Sequence, residues 1–336
     1  MSSVPLIQVT RGNIVESRHH GFVAVVDGSG KLVASAGDPD VVTYMRSAAK
    51  PIQGLNILFS GAAEKYQFTD RELAIMCSSH YGEEMHKETI YQILNKLGLS
   101  TQDLLCGNPL SISPAYMKQQ LLEHMTIDEA NSDCSGKHCG FLSVCLTKGY
   151  PIQNYNSPDH PMQQEIARIM AYMCCVEQSS IDIGVDGCGV PVHSIPLSHM
   201  ARAYARLSNP SQLEEPYRSA CGRIFAAMNA APEMLAGTGG FCSEFLANTG
   251  GRFCSKLGAE AVYCVGVKDK DLGIAVKIED GNYRALYPVV MSVLMQLDLL
   301  TDSEIDALRG FVAPDVINDL GKPVGKISPC FQLEFT

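Results

Sequence analysis

The feature that most constrains this chain is where its strand-like segments fall. They lie toward the two ends, with a long helical stretch between them. Residues 6–9 and 14–17 flank the turn Arg11-Gly12-Asn13, and residues 21–26 and 32–34 flank Asp27-Gly28-Ser29-Gly30, a hairpin signal. Residues 259–267 and 272–278 flank Lys268-Asp269-Lys270-Asp271, and a last helix is expected from about residue 284 to 299. Between these ends, residues 87–97, 116–125, 139–146, 162–175, 197–207 and 215–228 have helical spacing, and Asp70-Arg71-Glu72 reads as a capped helix start. Both ends are therefore expected to share one antiparallel sheet, with the helical region inserted between its strands. This is an α+β class. The expected layout is a single domain over residues 1–336, with the sheet from about 4–36 and 255–300 and the helices from about 45–250.

Composition narrows the function. Apolar residues make up 46% and charged residues 18% of the 336, which is globular composition and not that of a disordered chain. A net charge of -10 argues against a nucleic-acid or anionic-membrane surface. No apolar run approaches a membrane span, and the first residues lack the basic segment and apolar run of an export signal. A cytoplasmic location is expected. Its thirteen cysteines are then reduced thiols, most of them buried, and not a disulfide framework.

Four stretches carry possible chemistry. In Arg46-Ser47-Ala48-Ala49-Lys50-Pro51, Ser47 and Lys50 are three apart and can meet on one helix face. A lysine can activate a serine if burial or a nearby cation such as Arg46 lowers its pKa, though this stretch alone reads first as a capping Ser followed by a solvated Lys. Ser79-His80-Tyr81-Gly82-Glu83 offers a second hydroxyl with polar neighbours, or simply a polar helix end. Cys134-Ser135-Gly136-Lys137-His138 and Asp186-Gly187-Cys188-Gly189 put thiols on glycine-bearing loops, where two thiolates can hold Zn²⁺ or pack as inert turns. Their spacing matches no common Cys/His zinc pattern. Thr238-Gly239-Gly240 lacks the Lys-Ser/Thr of a phosphate loop, and Lys256-Leu257-Gly258 echoes a Lys-Thr-Gly element of serine acyl enzymes.

Taken together and in order, Arg46-Ser47-x-x-Lys50-Pro51, Ser79-His80-x-Gly82-Glu83, Cys134-Ser135-Gly136-Lys137-His138, Asp186-Gly187-Cys188-Gly189 and Lys256-x-Gly258-Ala259-Glu260 resemble the asparaginase II family, the Rhizobium etli-type L-asparaginases. The resemblance runs from Val9 to about Gly281. It implies a serine β-lactamase-like fold and two Ser-Lys tandems, Ser47 with Lys50 and Ser79 with Lys256. It further implies a zinc site from Cys134, Lys137 and Cys188, a pocket lined or supported by Arg46, His80, His138 and Asp186, and a homodimer. Two positions depart from the family pattern: Tyr81 stands where a small Ser is usual, and Asp133 where Asn is common.

The expected reaction is hydrolysis of the L-asparagine side-chain amide through an acyl-serine, with Ser47 and Ser79 both open as nucleophile and oxyanion donors expected near Ser79 or the Cys134 loop. A serine amidohydrolase of another amide, such as a glutaminase or a β-lactam hydrolase, keeps the same Ser-Lys pairs. A non-catalytic zinc or redox-sensing protein would use only the cysteines.

Overall fold

The computed structural model describes residues 2–336. Its strands begin with β1 (Val4–Arg11), β2 (Ile14–Asp27) and β3 (Leu32–Ala36). Three short strands follow within and beside the helical region: β4 (Val42–Tyr44), β5 (Ile183–Val185) and β6 (Pro191–Pro196). The chain returns to the main sheet with β7 (Phe253–Gly258), β8 (Val262–Val267) and β9 (Leu272–Ile278), and ends with β10 (Asp315–Ile317), β11 (Pro323–Pro329) and β12 (Glu334–Phe335).

The length of β2 is what joins the two ends of the chain. Its fourteen residues give one edge to two neighbours in succession, β1 along the first part and β3 from Val23 to Val26. The other edge pairs Gly21–Asp27 with β9, antiparallel and in register. The main path runs β10-β11-β1-β2-β9-β8-β7, and β12 pairs β3 to complete nine strands. Exposure along β2 follows the same division. It alternates over the first residues and then gives way to six consecutive buried residues, Gly21 to Val26. Such a run is what a strand covered on both faces requires.

The covers are two helices. Leu197–Ser208 lies on β8, β9 and β2, and Tyr283–Gln296 packs on β9, β1 and β11. The first approaches so closely that only glycine fits beneath it. Gly266 and Gly273 are direct cross-strand partners, and a Cβ on Gly273 would stand 1.8 Å from the Ala201 carbonyl oxygen. Among the described residues no helix is long and apolar enough to cross a membrane.

The antiparallel sheet built from both ends, with helices inserted, matches the expected α+β architecture. Its limits differ. Strands at 315–335 extend the sheet past residue 300, and β4, β6 and β5 form a separate small sheet with helices between them. The last strands escape periodicity because Pro323, Gly325 and Pro329 interrupt alternation. Proline is tolerated at strand ends and edges, and pairing with β1 supplies what local propensity does not.

Candidate active site

Seven segments meet at one cleft of about 620 Å³, and five of them carry the residues singled out in the sequence. The first leaves β4, makes a 3₁₀ turn over Arg46–Ala49 and continues as the short helix Lys50–Gln53. Pro51 sits in that helix's first turn, where its missing N–H costs little. Arg46 has φ +50, a left-handed conformation uncommon outside glycine. Its guanidinium is tied to the second segment, the turn after β5, where Asp186 Oδ1 accepts from Nε at 3.0 Å and Nη2 at 2.8 Å.

The third segment is β7, at the edge of the main sheet. Gly258 lets it close on the Ser47 turn: a Cβ there would be 2.7 Å from the Met45 carbonyl oxygen. The fourth follows the helix Asp70–Met76, which starts with a reciprocal capping box between Thr69 and Glu72. The fifth is the Cys134 loop at the start of the helix Ser135–Lys148.

These segments deliver two lysine amines to one serine. Lys50 Nζ lies 3.0 Å and Lys256 Nζ 2.9 Å from Ser79 Oγ, and both side chains are buried. Lys50 also donates to the carbonyls of Ser78 at 2.6 Å and Asp133 at 3.2 Å, and lies 3.6 Å from Asp133 Oδ2. Lys256 donates to the Leu257 carbonyl at 2.8 Å. Burial pulls the Lys256 pKa down to about 8, and the neighbouring Lys50 charge pushes the same way. Arg46, tied to Asp186, is not the cation that acts on Lys256.

Ser47 lines the same cleft and its carbonyl accepts from the Lys50 backbone N–H, but among the described residues no hydrogen bond joins its hydroxyl to the Lys50 amine. The backbone donors expected to hold an oxyanion are already used. Ser79 N–H donates to Leu235 O, Tyr81 N–H to Ala236 O, and Cys134 N–H to Ser132 Oγ. The amines of Lys50 and Lys256 lie within hydrogen-bond distance of Ser79 Oγ, and Ser47 lines the same cleft.

The two histidines stand behind the cleft wall. His80 is fully buried, its Nδ1 accepts from Gly82 N–H, and its Nε2 therefore carries the proton toward Ser135 Oγ at 2.9 Å. Burial holds its pKa well below the usual value, so it stays neutral. His138 pairs Nδ1 with the Tyr155 hydroxyl at 2.6 Å, and its Nε2 is buried without a partner. The Thr238 turn serves as a brace: its N–H and hydroxyl both reach the Glu83 carboxylate.

Cys134, Lys137 and Cys188 come together, all buried. Lys137 Nζ lies 2.9 Å from Cys188 Sγ. The Cys134 thiol and the Lys137 ammonium both hold Cys188 well below the ordinary thiol range. Cys134 is correspondingly pushed up, by that shared hydrogen bond and by burial. Two soft sulfurs and, once Lys137 gives up its proton, an amine nitrogen form a three-member donor set suited to Zn²⁺. Among the described residues no group of three or more His, Cys, Asp or Glu side chains has metal-site geometry, so the set depends on lysine as its third donor.

Other cleft residues carried no sequence signal as site residues. Tyr283 and Tyr287 come from the helix start after β9, while Cys106 and Ile112 come from the loop before Pro114–Leu122. Both departures from the family pattern, Tyr81 and Asp133, line the cleft.

A buried serine held between two amines, one of them easily deprotonated, can be activated as a nucleophile. The chain belongs to the L-asparaginase II family, whose model matches residues 7–329, and is an amidohydrolase of asparaginase type. Among curated proteins, none matches it in sequence. Among solved structures it is similar to the crystal structure of Mglu, at 14% identity over 83% of this chain and 67% of that one, with a TM-score of 0.38. Mglu in its glutamate form gives 15%, 85%, 63% and 0.39. A β-lactamase from Mycobacterium bovis gives 12%, 82%, 94% and 0.41. The chain thus spans about two thirds of the length of the Mglu chains.

Proposed function

We propose that residues 1–336 act as one catalytic unit, an L-asparaginase that converts L-asparagine to L-aspartate and ammonia. The observation that carries this reading is the convergence of Lys50 and Lys256 on Ser79 in a cleft of the asparaginase II family. Neutral Lys256 takes the Ser79 proton as Oγ attacks the side-chain amide carbon. Charged Lys50, with the Ser47 hydroxyl, stabilises the oxyanion. The proton on Lys256 passes to the leaving nitrogen, ammonia departs, and a β-aspartyl ester remains. Water, deprotonated by Lys256, then cleaves the ester and returns the proton to Ser79. Arg46, held by Asp186, would take the substrate α-carboxylate and Asp133 its α-ammonium, a reading supported by their both lining the cleft.

Cys134, Lys137 and Cys188 are the residues that would hold one Zn²⁺. Bound there, the ion would supply a Lewis acid and a fixed charge beside the cleft. His80 and His138 support the walls. A homodimer and a cytoplasmic location belong to the same proposal.

The test is a substrate panel read as ammonia release or, for β-lactams, ring opening. L-Asparagine should be turned over far faster than L-glutamine. One methylene discriminates by only about 1–3 kcal/mol, so strong preference also requires misplacement of the longer amide. Equal rates on the two amino acids would contradict the assignment. A second reading, hydrolysis of a larger amide, draws on the size of the cleft and on Tyr81 within it. It wins if a bulkier amide or β-lactam outruns asparagine.

A further inference from the structure

The helix Leu197–Ser208 carries Arg202 and Arg206, four residues apart and so on one face. Together with the β2–β3 turn and the β8–β9 connection they line a cavity of about 410 Å³ that shares no residue with the serine cleft. Like charges at this spacing repel unless an anion lies between them.

The two arginines are held differently. Arg206 is fixed: Nη1 donates to the carbonyls of Tyr172 and Met173 and meets the Cys175 sulfur at 2.6 Å, and its guanidinium carbon stacks 4.6 Å from the Tyr172 ring centre. Arg202 packs its stem over Gly30, where a Cβ would stand 2.8 Å from its Cδ and Nε. Its Nε is buried and has no hydrogen-bond partner. A buried guanidinium edge left unpaired is costly, and a carboxylate matches its fork. One acid shares the cavity, Asp271, whose Oδ1 accepts from Asn209 Nδ2 at 3.1 Å. Two cations thus face one anion, in a protein whose net charge is -10.

We propose that this cavity is a second ligand site and takes an acidic amino acid. One carboxylate lies on Arg202 and Arg206, the ammonium faces Asp271, and the second carboxylate takes a donor from the Gln212 amide, since the Ser29 hydroxyl already donates to Asp27 Oδ1. The ligand's single net negative charge balances the cavity's single excess positive one. A phosphate at charge near minus two would meet Asp271 as a like charge. This inference does not depend on the substrate of the serine cleft.

Calorimetric titration of L-aspartate, succinate and inorganic phosphate into the full chain tests it. L-Aspartate should show a saturable site whose affinity falls about ten- to a hundredfold in Arg202→Met, the loss of a charge-assisted hydrogen bond pair. If the cleft also binds aspartate as product, the wild type shows two tight sites and Arg202→Met one beside the weakened one. If it does not, the wild type shows one tight site and Arg202→Met only the weakened one. Succinate, lacking the ammonium, should bind more weakly than aspartate in the wild type and equally in Asp271→Asn. Circular dichroism checks each variant, and Arg202→Lys, which keeps charge but loses the fork, serves if the methionine variant does not fold. Aspartate binding unchanged by either substitution overturns the site. Phosphate binding tighter than aspartate overturns the amino-acid assignment.

Discussion

Ser79 Oγ lies 2.9 and 3.0 Å from two lysine nitrogens, of which Lys256 is assigned the role of base and Lys50 that of oxyanion partner. The division rests on Lys256, whose pKa burial lowers to about 8. The neutral amine is the base, so its active fraction rises with pH. We expect kcat/KM to climb about tenfold per pH unit below 8 and to level off above it. Lys256→Met should remove that limb together with most of kcat. A profile flat from pH 6 to 9 in the wild type would argue against Lys256 as base. From spacing alone, Lys50 pairs with Ser47, its neighbour in the same turn. In the fold its four-carbon stem reaches Ser79 instead, because three carbonyl and hydroxyl oxygens converge there. Spacing could nominate both serines and both lysines, but not decide which hydroxyl the amines share.

At the scale of elements, the site depends on β7 lying against the Arg46–Ala49 turn. The contact is backbone to backbone: a Cβ at Gly258 would stand 2.7 Å from Met45 O and 3.2 Å from Ala48 N. Gly258→Ala should therefore cost about 1–3 kcal/mol of stability and also lower kcat, since relief moves either Lys256 or Ser47. A variant with wild-type melting temperature and rate would show that the packing is loose. The helices were legible from period, and the site loops from their glycines, because those patterns are local. Strand β7 was not, because its residues are nearly all buried and do not alternate. The 3₁₀ turn at Ser47 was not legible either, since its backbone is set by neighbours: Tyr204 donates to Ala48 O at 2.7 Å, and Asp186 holds Arg46.

Across the whole molecule, the order of strands, helices and strands reveals the architecture, since separated strands satisfy their edges by pairing with one another. The C-terminal pairing of β11 with β1 depends on contacts more than three hundred residues apart, which no local pattern encodes. The proposed zinc set is equally long-range, joining Cys134 and Lys137 to Cys188. Metal analysis of purified protein should give about one Zn²⁺ per chain in the wild type and none in the Cys134→Ala, Cys188→Ala double variant, which removes both thiolates. Stoichiometric zinc in that variant would place the metal elsewhere. The central claim is that the fold brings both lysines to Ser79 and makes it the acylated residue. Its most direct test is to react the protein with an electrophilic asparagine analogue and map the adduct by peptide mass spectrometry. The expected result is a single adduct on Ser79, absent in Ser79→Ala and retained, at a lower rate, in Ser47→Ala. An adduct on Ser47 that persists in Ser79→Ala would contradict it.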